Sequence, residues 1–140
     1  MEMTRLPILA LVAVGGATAA LAPSSAQAPA AIAQAQPGIW EVTGWPGSRA
    51  PVRLCVADVR ALGRFEHRGR RCATQVAPSG TSSVAVDYQC GAAGFGSSRV
   101  DMITPRSLRI RTQGISNGLP FHYLIQARRV GECAQSRRRH

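Results

Sequence analysis

The chain has 140 residues, a net charge of +10 and 17 basic residues, all arginine, against seven acidic ones. A chain of this length makes one domain and buries only roughly 60 to 65% of the surface its unfolded form exposes, so its core is marginal without covalent support. The positive charge suits phosphates, but two Trp, two Tyr and three Phe, mostly at core positions, cannot interleave the arginines as a base-stacking platform, which argues against nucleic acid as partner.

The amino terminus reads as a targeting segment. Arg5 precedes an apolar run from Leu6 to Ala22, and Ala26-Gln27-Ala28 offers a signal-peptidase site, so residues 1–28 are expected to be a cleaved secretory signal. Glycines 15 and 16 interrupt the run, which is shorter than the roughly 20 residues a bilayer span needs, so no integral span is expected after cleavage. Localisation is then periplasmic or secreted. Residues 29–36, Ala, Gln and Pro with one isoleucine, read as a disordered leader. A single β domain is expected over 37–133, followed by a disordered basic tail over 134–140.

Gly38 to Thr43 and Pro51 to Val56 read as strands around the turn G-W-P-G-S. Asp58 is placed to cap a short helix over about Val59 to Phe65, with Val59 and Leu62 turned to the sheet. Arg60, Arg64 and Arg68 recur every four residues, a spacing that lines up on one face of an α-helix. The stretch from Cys72 to Cys90 predicts a hairpin around Pro78-Ser79-Gly80, with Val84, Val86, Tyr88 and Cys90 on the core face at the strand period of two. The Gly-rich segment 91–98 lacks the spacing and flanking elements of a dinucleotide fingerprint and reads as a turn or a bulged strand start. Ser98 to Ile103 and Ser107 to Thr112 make a further hairpin, its second strand burying Leu108 and Ile110 and exposing Arg109 and Arg111. Asn117-Gly118 signals a turn into a last strand from Phe121 to Ala127. The sum is a mainly β fold: one curved antiparallel sheet of six or seven strands with one short helix.

Cys55, Cys72, Cys90 and Cys133 all follow the signal, an even number for an oxidising compartment. Three connectivities are possible; pairing Cys72 with Cys90 and Cys55 with Cys133 fastens the hairpin locally and the end of the chain to an early strand. In the chain-entropy model the short loop contributes about 3 kcal/mol and the long one about 4 to 5. Zinc is disfavoured, because structural sites bring ligands in close pairs and the shortest gap here is far wider. No cofactor is expected.

Catalytic groups are sparse. His67 stands beside Glu66 in an arginine-rich stretch and reads as exposed surface; His122 reads as a surface-strand histidine, and His140 lies in the tail. The carboxylates are spread singly, though Asp87 and Asp101 would form a pair if their strands approached there. The positive candidates are anion-binding arginines: Arg64, Arg68, Arg70 and Arg71 as one patch, Arg109 and Arg111 as another, since guanidinium groups match phosphate or carboxylate in bidentate geometry.

P-G-I-W-E-V at 37–42, V-R-L-C-V at 52–56, the cysteines framing 72–90 and A-R-R-V-G-E-C at 127–133 together resemble the bacterial exported family called domain of unknown function 3617. The resemblance covers nearly everything after the leader. It implies a periplasmic protein with a signal peptide and no settled activity, and it marks Pro37, Gly38, Trp40, Glu41, Arg128, Arg129, Gly131 and the four cysteines as structural. The chain departs from the family's usual look in the arginines of 60–71 and in the basic tail. The expected function is noncatalytic binding or envelope association, with an anionic envelope component or an acidic protein as partner. A hydrolase with an unrecognised polar site, or an arginine-mediated polyanion binder, is the alternative.

Overall fold

Period-two alternation resolves into one seven-stranded antiparallel sheet in the computed structural model, which describes residues 32–134. The strands are β1 (Gly38–Thr43), β2 (Val52–Val56), β3 (Ala73–Pro78), β4 (Ser83–Gln89), β5 (Gly94–Thr104), β6 (Ser107–Ser116) and β7 (Leu119–Gly131), in the order β2-β1-β7-β6-β5-β4-β3. From β3 to β7 each strand lies beside its predecessor, and the β1–β2 hairpin joins through β1 and β7. Three 3-10 elements complete the described residues: η1 (Ile32–Gln34), η2 (Val59–His67) and η3 (Gly91–Ala93). The expected signal segment, most of the basic tail and His140 lie outside the described residues.

The inner face of the sheet is the core. Val84, Val86, Tyr88 and Cys90 are buried along β4 as the alternation predicts, and Trp40, Val42, Val100, Leu108, Ile110 and Ile125 continue the layer across the sheet. Val59, Leu62 and Phe65 of η2 cover it. This element lies close to the strands because Gly63 has no side chain: a Cβ there would stand 2.9 Å from Val86 Cγ2. Ser98 Oγ of β5 donates to the Gly63 carbonyl at 2.5 Å, so Thr112, whose Oγ1 is 2.7 Å away, supplies the proton of their shared bond.

Asp58 caps η2 as expected, its Oδ1 accepting from the Arg60 amide at 2.9 Å. The Arg60 side chain turns back on the same carboxylate, and its hydrogen bond holds the Asp58 carboxyl below its ordinary range against the effect of burial. The helix is 3-10 rather than α and is kinked at Arg64 (φ −109°). A period of three cannot keep Arg60, Arg64 and Arg68 on one face, which corrects the alignment inferred from their spacing.

Both disulfides form in the pairing favoured from the sequence. Cys72 and Cys90 close the open end of the β3–β4 hairpin, with Cα atoms 4.2 Å apart. Cys55 of β2 joins Cys133, beyond the end of β7, with Cα atoms 5.5 Å apart. Part of the expected leader joins the fold: Ile32, its one large apolar residue, is 2% exposed in the core cluster and opens η1. Strands β5 and β7 also run longer than their patterns suggest, because pairing continues through Gly94 and Gly96 on one and through Arg128 to Gly131 on the other.

The two ends of the domain meet between β1 and β7. Trp40 is fully buried and its Nε1 donates to the Gln36 carbonyl at 3.0 Å. Arg129, on the inner face of β7, is 8% exposed; its Nε donates to the Pro37 carbonyl at 2.8 Å, and Nη2 lies 2.5 Å from Glu132 Oε1. On the outer face Glu41 takes Arg53 at 3.0 Å and Arg128 at 3.6 Å.

Candidate functional site

With η2 on the inner face, the arginines read from the sequence fall on opposite sides of the sheet. Arg68 follows η2 and lays its guanidinium 4.6 Å from the Phe65 ring centroid and 4.9 Å from that of Trp45, an arrangement favourable to a cation. Trp45 itself packs edge-on against Phe65 and Tyr123. Arg64 is half-buried at the kink, and Arg70 and Arg71 are exposed in the turn before β3.

Arg109 and Arg111 project from the outer face of β6, where they meet arginines that the sequence reading did not single out. Arg111 stands directly opposite Arg99 of β5, and Arg53 and Arg128 lie on the same face toward β2. Like charges facing each other across an antiparallel pair are destabilising. One carboxylate offsets this pair: Asp101 Oδ1 is 2.8 Å from Arg99 Nε, and Oδ2 is 3.9 Å from Arg111 Nη2. Burial acts to raise the Asp101 carboxyl, but hydrogen bonds from Ser83 and Arg99 and the charges of Arg99 and Arg111 outweigh it and hold the group below its ordinary range. Arg109, in register with Asp101 and Gln126, makes no ion pair among the described residues. Alternation along β5 could have pointed to Arg99, which falls two residues before Asp101 on the same face.

The catalytic alternatives are not assembled among the described residues. Asp87 pairs in register with Ser97 while Asp101 pairs with Ser83, so the two carboxylates sit four residues apart along the β4–β5 ladder. His122 faces Gln113, far along β7 from the level of Ser107, which pairs with Arg128. No group of three His, Cys, Asp or Glu side chains is placed to hold a metal ion among the described residues.

His67 is the clear correction. Expected on the surface, it is 3% exposed. Tyr88, Gly96, Gly114 and Phe121 form one row across β4, β5, β6 and β7, and the missing side chains let the Tyr88 ring lie over Gly96 and the Phe121 ring approach Gly114. The His67 ring packs beside both aromatic rings, 5.3 Å from Tyr88 and 5.9 Å from Phe121 between centroids, with Nε2 3.1 Å from where a Cβ on Gly94 would stand. Nε2 lies 2.9 Å from the Ala93 carbonyl and Nδ1 lies 3.3 Å from Tyr88 Oη, so Nε2 carries the proton and Nδ1 accepts from the tyrosine. Both ring nitrogens are thus engaged within the fold. Strand glycines mark close approach, and Gly94, which the His67 ring approaches, was the available signal for it. Next to it Tyr123 Oη donates to Glu66 Oε2 at 2.8 Å; burial first, and then this carboxylate, push the Tyr123 hydroxyl far above its ordinary value.

The outer face also carries two adjoining depressions. One, of about 290 Å³, is bounded by Ser97, Arg99, Arg111, Gln113 and His122. The other, of about 560 Å³, lies toward β3 and includes Gln75, Asp87, Phe95, Ser97 and Gln113. No helix among the described residues is long and apolar enough to cross a membrane. No family model matches the chain, and neither a characterised protein nor a solved structure is significantly similar to it.

Proposed function

We propose that this chain is a noncatalytic binding domain of the bacterial periplasm or envelope that holds anionic polymers on the outer face of its sheet. The observation that carries the reading is the Arg99–Arg111 pair, two guanidinium groups opposed across strands with one shared carboxylate and with unpaired Arg109 one row away. An incoming phosphate, sulfate or carboxylate relieves their repulsion and meets donors arranged for bidentate contact. The paired sulfurs fit an oxidising compartment, which favours polymers of the envelope over nucleic acid.

Kinship with the exported family 3617 belongs to the same proposal. The residues that carry that resemblance, Pro37, Gly38, Trp40, Glu41, Arg128 and Arg129, bond or pack with one another at the β1–β7 junction. They are accounted for by structure.

Titration with heparin and with lipopolysaccharide at two salt concentrations tests the reading. Affinity should fall as salt rises and fall further in an Arg99→Ala/Arg111→Ala double variant. An Arg70→Ala/Arg71→Ala variant reports whether the turn before β3 contributes. Absence of binding at low salt would overturn the proposal.

A further inference from the structure

We infer that the polymer is a saccharide, and that the trough beside the arginines binds its sugar rings while Arg99 and Arg111 hold its acidic substituent. This deepens the anionic-polymer reading and rests on it. The two depressions share Ser97 and Gln113 and so form one continuous surface running from β3 toward β7.

The chemistry changes along that surface. Gln75, Asp87, Ser97, Gln113 and His122 are successive register partners across β3, β4, β5, β6 and β7, a polar row of roughly 19 Å at the usual strand spacing. None of these side chains makes a hydrogen bond or an ion pair among the described residues, whereas Arg99, two residues along β5, is bonded to Asp101 and Ser83 four residues along the ladder. Planar amides, a hydroxyl and a carboxylate left free on an open sheet face are donors and acceptors suited to sugar hydroxyls. On one side of the row stands Phe95, 47% exposed and in register with Gln89, an aromatic face for the apolar C–H side of a sugar ring. On the other side stand Arg99 and Arg111, roughly 7 Å away at two residues along the strand.

Asp87 separates a saccharide from a bare polyanion. In a chain of net charge +10 it is an acidic residue that no arginine pairs with among the described residues, its cross-strand partners being Gln75 and Ser97. A polyphosphate gains nothing from Phe95 and is repelled by Asp87. A saccharide whose rings offer hydroxyls along one edge and an acidic substituent along the other uses both.

Calorimetric titration of the full chain with a heparin hexasaccharide, with an oligogalacturonate and with polyphosphate tests this. Phe95→Ala should weaken at least one of the two saccharides about tenfold or more and leave polyphosphate unchanged. Asp87→Ala should weaken that saccharide and leave polyphosphate equal or tighter, a divergence that general loss of structure cannot produce. Preference between the sulfated and the uronate saccharide identifies the acidic substituent, and either preference supports the inference. If Phe95→Ala and Asp87→Ala affect saccharide and polyphosphate alike, the saccharide assignment fails while the anionic-polymer reading stands. If none of the three probes binds the unaltered chain at low salt, both fail.

Discussion

The guanidinium of Arg129 occupies the space that a side chain at Gly38 would need. A Cβ on Gly38 would stand 2.7 Å from Arg129 Nε and 2.5 Å from the Gly131 carbonyl oxygen, and the backbone there has φ +151°, where side chains are rarely tolerated. Gly38→Ala is therefore expected to destabilise the domain by about 2 kcal/mol or more, read from urea midpoints. Arg129→Ala leaves the Pro37 carbonyl without its donor, at about 1 to 3 kcal/mol. Because Arg129 supplies part of the clash, the double variant should lose less than the sum of the two.

The buried histidine gives a second prediction. His67→Ala empties the space beside Tyr88 and Phe121 and takes one of two donors from the Ala93 carbonyl, which the Asn117 amide also reaches at 3.0 Å, so stability should fall by about 2 to 4 kcal/mol. Binding of anionic polymers to the remaining folded protein should not change. A selective loss of binding at undiminished stability would show that His67 belongs to a ligand site instead.

Acid should act on the outer face through Asp101. Its folded-state carboxyl sits below the ordinary value, so the stability it contributes is present above the unfolded value of about 4 and is lost as pH falls through the folded value. Asp101→Asn should be less stable than the unaltered chain at neutral pH, with Arg99 and Arg111 left facing each other. The gap in urea midpoint should narrow as pH drops below about 4, because the unaltered carboxyl is then protonated as well. A gap independent of pH would place the effect in packing rather than charge.

The two disulfides should differ in weight. In the chain-entropy model, replacing Cys72 and Cys90 by Ser costs about 3 kcal/mol, and replacing Cys55 and Cys133 costs about 4 to 5, because the second loop is longer. Denaturation of each double variant, with non-reducing peptide mapping of the unaltered chain, checks both the ranking and the pairing.

Much of the sheet was legible because β4 and β6 alternate cleanly, and Cys72 and Cys90 flank a hairpin whose register brings them together. His67 was misread because its immediate neighbours are arginines and a carboxylate; the groups that bury it, Tyr88, Ala93, Gly94 and Phe121, are remote in sequence. The inner position of Arg129 follows from carrying the alternation of Ile125 and Ala127 one step further, past the point where charged residues suggest that the strand ends. The outer arginines were legible singly, but the opposition of Arg99 to Arg111 depends on the β5–β6 register. The polar row from Gln75 to His122 was hidden for the same reason, since its members lie on five different strands.

The sulfur bridges also sit where a sheet is most vulnerable. β2 and β3 are its outermost strands, and such strands are the usual starting points for fraying and for recruiting a neighbouring molecule. Cys55 anchors the first to the chain leaving β7, across the intervening β1, and Cys72 anchors the second to the far end of β4. Neither flank can peel fully away from an oxidised molecule without a covalent bond breaking. Under reducing conditions both become hinged flaps on a five-stranded middle, so unravelling should begin at the two margins and reach the centre last.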